Sequence, residues 1–471
     1  MRSVLSLFLV LCGVPALASP ASAVAAALAD ARGLQPGIRE STRYLWTPGS
    51  HTATDRAVLA FHCNSLSREA ELVPLRRITD SLLAVSLLDY GWEAKTWEKF
   101  ADNEPYFTVR IVAERQYYQA GTDSRGVKYA AGWYRNTKQA VIPAAAPWLD
   151  TAQAIELITL CQSTVPVLRA DWFFAQTAIQ EGRKVGYYGM LGLGNKRADF
   201  EKLVGLDRAA ATRLRKEVAA IVSVSSVALH NRQIYRFQTL TGPYWETRDA
   251  KQNDGDRNAL RLLNGDFKHD AEEIYASLPN GLFAFFLSDA GGSRANTAPD
   301  FIASDSRASG TDRRVHVGLS CVRCHVPGIQ PIADHARRLY TGAIRLDVTD
   351  ANRYLRLRQL YLSDIDRLIK RDQDDYAETL KRCNGLTPAE NSRAYAAYWD
   401  RYTEQPLTAA DVARELGTTE RRLLDGIKAK AEAGLFDPIL AGLLQVPPLT
   451  IKRDHLEEVQ PVVWQALENR P

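Results

Sequence analysis

The pentapeptide Cys321-Val322-Arg323-Cys324-His325 constrains this chain more than any other stretch. Its spacing is that of a c-type haem attachment sequence. Two thiols three positions apart can each add to one vinyl group of a haem, and the adjacent imidazole is then held under the iron as proximal ligand. A fold that carries it must place apolar walls around a flat ring beside Cys321, Cys324 and His325. Two other chemistries use such a pair, a redox disulfide and half of a zinc site. Zinc would need a second Cys/His pair at suitable spacing, and the sequence offers none. A thioredoxin-like pair would open a compact domain between strand and helix, whereas this one comes late, after a loop. One covalent haem c per chain is the expected cofactor.

Export fits that cofactor, because covalent attachment is made outside the cytoplasm. Met1-Arg2 is a short positive start, and Val4 to Val14 is an apolar run too short to span a bilayer. Ala16-Leu17-Ala18 and Ala21-Ser22-Ala23 both match a small-x-small cleavage site. Residues 1–23 are therefore expected to be a signal peptide, and the mature chain periplasmic or secreted with no transmembrane segment. Cys12 follows the bulky Leu11, which argues against a lipid-attachment site. The 471 residues are 46% hydrophobic and 24% charged, a globular composition long enough for two to four domains. The net charge of +4 comes without a long basic run, so bulk charge gives no reason to expect nucleic acid as a partner.

The expected fold class is a mixed α+β N-terminal and central region with an embedded c-type haem segment, followed by an all-α C-terminal region. Residues 24–44 read as a linker or loose first helix and 45–147 as an α/β region. Residues 148–345 read as an α+β region holding the motif, and 346–471 as helical. Leu82 to Leu88, Tyr106 to Val112 and Leu282 to Asp289 have strand patterns. Asp150 is placed to cap a helix reaching Cys161, and Phe200 to Val222 has helical spacing. Asn231 to Arg248 is extended, with a turn at Thr241-Gly242-Pro243. Tyr354, Leu357, Leu360, Tyr361, Ile365, Leu368 and Ile369 mark one face of a long helix, with further helices from Pro388, Thr408, Thr419 and Asp454. This last region has no second CxxCH and no clustered ligands. Its isolated His455 reads as a residue near a helix start, and truncation before Asp350 is expected to spare the haem site.

The sixth iron ligand is less constrained. Neither methionine, Met1 or Met190, follows the motif. The candidates are Met190, His269, His335, His230, His316 or water. Several stretches resemble an uncharacterised, planctomycete-type family of cytochrome c domain-containing proteins. They include Leu59-Ala60-Phe61-His62-Cys63-Asn64-Ser65-Leu66, Arg169-Ala170-Asp171-Trp172-Phe173, Gly242-Pro243-Tyr244-Trp245, Phe267-Lys268-His269-Asp270 and Gly318-Leu319-Ser320 leading into the motif. The resemblance covers most of the chain from Tyr44 to Arg338. It implies an exported haem protein and no particular reaction. It also makes His269, which matches a family position, the expected second axial ligand. Where relatives often read Pro-Leu-Tyr-His, this chain has Gly186-Tyr187-Tyr188-Gly189.

Weaker signals complete the reading. Tyr244, Trp245, Phe283, Phe285 and Phe286 are either haem-pocket walls or sheet core. Arg294 is the candidate propionate donor, and Arg323 lies at the ring edge or on the surface. Cys63, Cys161 and Cys383 allow at most one disulfide and one free thiol. Gly189 to Gly194 lacks a nucleotide-binding setting, and the helix-turn-helix-like stretch Leu407 to Thr419 reads as a packing hairpin. One-electron transfer with a redox partner protein is the leading function. The alternatives are a haem enzyme or small-ligand sensor with an open sixth position, and a structural protein stabilised by haem.

Overall fold

The computed structural model describes residues 19–102, 104–107, 115–118, 121–122, 128–129, 132–135, 152–223, 228, 230–260, 266–300, 302–337, 351–361, 364–432, 438–445, 448–457, 463 and 467. The expected leader lies outside them except for 19–23, as does the Asp150 cap. A mixed α+β arrangement fills the N-terminal and central parts, and helices dominate the C-terminal part. No helix among the described residues is long and apolar enough to cross a membrane.

The first sheet has four strands, with Thr42–Trp46 inside it and every residue of that strand buried. Leu82–Ser86 pairs with it antiparallel and Val167–Arg169 parallel, and Arg76–Thr79 forms an edge. Residues 24–44, expected as a linker or loose helix, instead belong to helix Pro20–Gly33, the short helix Pro36–Ser41 and the start of that strand. The Ala-rich composition that suggested a linker is a strong helix former. Ser19 caps the first helix by accepting the Ser22 N–H at 3.1 Å, and Pro20 presets its first turn. Ala23, Val24, Ala27, Leu28 and Ala31 then make one buried face. Tyr106 and Phe107, expected to open a strand, sit in a turn whose Tyr106 N–H donates to the Glu104 carboxylate at 2.8 Å. The rest of that expected strand, 108–112, lies outside the described residues.

The second sheet positions the site. Its six strands are Val218–Val222, Arg232–Gln238, Pro243–Asp249, Ala271–Ser277, Phe283–Asp289 and Arg294–Ala295, paired antiparallel in chain order as a meander. The stretch 200–222, expected as one helix, gives helices Arg197–Leu203 and Arg208–Arg213 before turning into the first of these strands. Trp245 faces Tyr275 across one strand pair, and Tyr275 faces Phe285 across the next. The five aromatics therefore divide by the two-residue strand period. Trp245, Phe283 and Phe285 share one face, while Tyr244 and Phe286 pack with Phe200 on the other.

The expected long C-terminal helix is two helices, Ala351–Tyr361 and Ile365–Asn384. The Asp364 side chain caps the second. Helices Pro388–Thr403, Ala409–Glu415 and Glu420–Glu432 follow. All but the first of these share the main core with the rest of the chain; Leu360 and Tyr361 of Ala351–Tyr361 pack in a separate small cluster with Ala219 and Ile221. Buried Asp372 accepts from Arg236 at 2.8 and 3.1 Å and from the Trp245 indole at 3.0 Å. Glu415 accepts from Arg169 at 3.1 Å and from Arg453 at 2.7 Å. Burial alone would push Glu415 up, but the two guanidinium groups pull it down to about 2.

Two predictions follow from this packing. If residues 1–23 hold a cleaved leader, a cut after Ala18 would keep the Ser19 cap, whereas one after Ala23 would remove the first helical turn. N-terminal sequencing of the processed protein should then read Ser19-Pro20. Asp372→Ala should cost about 3–5 kcal/mol, because it leaves buried Arg236 with Gln238 but no carboxylate; chemical denaturation compared with wild type measures this.

Candidate functional site

The CxxCH residues form a short helix, Leu319–Cys324, ending at His325. Its start is fixed by Gly318, whose φ of +82° suits a residue without a side chain. A Cβ there would come within 2.4 Å of the Ala178 carbonyl oxygen and 2.9 Å of the Tyr187 ring. Its carbonyl end is held by side chains from three separate segments. Arg307 donates to the carbonyls of Arg323 and Cys324, the second at 3.1 Å. Gln330 also donates to the Cys324 carbonyl, and Ser392 to that of Val322 at 3.2 Å.

His325 is oriented at both ring nitrogens. Nδ1 lies 2.9 Å from the Gly328 carbonyl, which can only accept, so Nδ1 carries the proton. Nε2 is directed at Glu273 Oε1, 3.3 Å away on the sheet. The Tyr275 ring packs on the imidazole with centroids 4.6 Å apart. Gly328 itself has φ +82° and sits against Phe283 and Tyr376, which stack on each other at 4.7 Å.

These groups border a cavity of about 330 Å³. One wall is a face of the six-stranded sheet, with Ile234, Trp245, Thr247, Glu273, Tyr275 and Leu287. Facing it are Cys321, Cys324 and His325, with Ile302, Val315 and Ile329 beside them. Arg232 crosses the sheet face to Asp249 through two hydrogen bonds of 2.7 and 2.8 Å, and its Nη2 lies 3.7 Å from Glu273 Oε2. Burial pushes the Glu273 carboxyl up, but His325 and Arg232 outweigh that and hold it below its usual range. Burial also raises both motif thiols, Cys324 to about 12, so they are protonated at neutral pH. Redox-active thiol pairs depend instead on a lowered thiol pKa. Among the described residues, no group of three or more His, Cys, Asp or Glu side chains is placed to hold a metal ion.

Cys321, Cys324 and His325 are thus brought together, while the other sequence candidates are not. His269 does not line the cavity. Its Nε2 lies 3.0 Å from Glu272 Oε1, and that carboxylate is tied to Arg197 and Ser288. Adjacent strand residues point to opposite faces, so Glu272 draws His269 away from the side that Glu273 shares with His325. Arg294 donates to the Leu193 and Gly194 carbonyls and covers the Tyr188 ring, and it too is absent from the cavity wall. Arg323, read as edge or surface, is buried and paired with Asp305 at 3.1 Å. Met190 is core, His335 bonds Ser223, and His316 bonds Asp312. Tyr187 and Tyr188, at the departure from the family pattern, accept the Phe285 and Leu287 N–H groups through their hydroxyls, both at 2.9 Å.

Sequence reasoning missed Glu273, Arg232, Asp249 and Arg307. A signal for the first was present: Glu272-Glu273 interrupts an otherwise apolar strand. Comparisons of the chain with protein-family models, with curated proteins and with solved structures find no match.

Gly318→Ala should lower stability by about 1–3 kcal/mol from backbone strain alone. The Ala178 carbonyl cannot move aside, since it accepts the Leu319 N–H at 2.9 Å. Thermal unfolding should show the lowered Tm.

Proposed function

We propose that this chain is an exported c-type haem protein with one covalent haem, whose sixth coordination position exchanges small ligands. The observation that carries this reading is the convergence of two thiols and one oriented imidazole, all from a single CxxCH, on one cavity. Cys321 and Cys324 would each add S–H across a vinyl double bond, sulfur to one carbon and hydrogen to the other, with no oxidant consumed. His325 would hold the iron through Nε2, and the Gly328 carbonyl fixes the ring's tautomer and direction. Trp245, Ile234, Leu287, Ile302, Val315 and Ile329 supply apolar contact and exclude water. When bound, haem supplies one-electron redox chemistry and an axial position.

An exchangeable sixth position is favoured over a fixed His or Met. Among the described residues, His325 is the one histidine on the cavity wall, and no methionine lies there. One-electron transfer to a partner protein is the second reading. It is supported by the partial exposure of Cys324 and His325, which brings that edge of the site towards the surface.

The test is expression of the full chain with cytochrome c maturation machinery. A denaturing gel stained for haem should be positive for wild type and negative for the Cys321→Ser, Cys324→Ser double variant. An unstained wild-type band overturns the proposal. Carbon monoxide should shift the spectrum of the reduced protein; a low-spin spectrum unmoved by it would select electron transfer instead.

A further inference from the structure

We infer that Glu273 is the side chain facing the sixth coordination position, and that its carboxylate is the internal ligand that small molecules displace. This rests on the haem reading above and goes beyond it by naming the group opposite His325. The geometry points to one residue. Glu273 Oε1 lies 3.3 Å from His325 Nε2, directly on the side that nitrogen presents to the cavity. Bonds from imidazole nitrogen and carboxylate oxygen to a transition metal are each roughly 2 Å, taking zinc sites as the guide. Iron between these two atoms would need their separation to grow by less than about 1 Å, and the haem ring would occupy the cavity beside them.

The other charged groups bordering the cavity are committed elsewhere or chemically unsuited: Glu272 is bonded to Arg197, His269 and Ser288. Arg232 has no lone pair to give. Asp249 spends both oxygens on Arg232, and one also accepts from Thr247 at 3.0 Å. Arg307 is bonded to the carbonyls of Arg323 and Cys324.

Charge supports the same assignment. On the sheet wall Arg232 is one cation beside two carboxylates, Asp249 and Glu273. A buried anion in excess is costly unless a cation meets it. The iron would be that cation once held by Nε2. In that bond the carboxylate donates a lone pair and no electron is transferred.

The test uses exported, haem-stained full-length protein, with imidazole as the probe of the sixth position. If Glu273 fills that position about nine-tenths of the time, removing it should tighten imidazole binding about tenfold. Glu273→Ala should show this together with a changed ferric absorption and electron-paramagnetic-resonance spectrum. The nearly isosteric Glu273→Gln, a weaker ligand, should move both readouts in the same direction and guards against a folding defect in the alanine variant. Variants that stain for haem yet keep the wild-type ferric spectrum and imidazole affinity overturn the assignment of Glu273 while leaving the haem reading intact. A wild type without covalent haem overturns both.

Discussion

The hydrogen bond from His325 Nδ1 to the Gly328 carbonyl decides what the cavity can do. It sets the direction of the imidazole, so that Nε2 and not Nδ1 meets the sheet. Much of the surrounding structure serves to hold that one carbonyl. Gly328 takes a left-handed conformation, and Phe283 and Tyr376 leave no room for a side chain there, so both conditions call for glycine. Phe283 comes from the sheet and Tyr376 from a C-terminal helix, so the bond depends on elements far apart in sequence.

That dependence changes the role of the C-terminal helices. They were expected to cover an apolar face and carry no chemistry, leaving the site intact if removed. They do bury such a face, and in addition Tyr376 backs Gly328, Gln373 donates to the Ile329 carbonyl at 2.7 Å, and Ser392 holds the end of the motif helix. Asp372 fixes Arg236 and the cavity residue Trp245. Loss of this region would remove second-layer support from the imidazole, both strand anchors and one wall contact. The helices are part of how the site is built.

That Cys321, Cys324 and His325 share one cavity was legible, because their close spacing keeps them together on a single helix end. The extended pattern of 231–248 and the capped C-terminal helices were legible for a similar reason, since both signals are local. What was not legible was largely non-local. Glu272, which takes the His269 ring, is only three residues on, but nothing around Arg294 says that two loop carbonyls about a hundred residues away will take its guanidinium. The partners that matter, Glu273 for His325 and Arg307 for the helix end, are 52 and 16–17 residues away from the groups they meet. Such pairings come from sheet register and loop path, which composition and periodicity do not encode. The N-terminal stretch was left between a linker and a loose helix, because an alanine-rich segment with few large apolar residues shows its helical face only once that face is buried.

Whether haem is covalently bound is decided by intact mass spectrometry under denaturing conditions, followed by peptide mapping, on protein produced with active cytochrome c maturation machinery. A single species carrying the mass of one haem beyond the polypeptide is expected, with the added mass on the peptide that contains Cys321 and Cys324. A polypeptide of unmodified mass would overturn the haem reading.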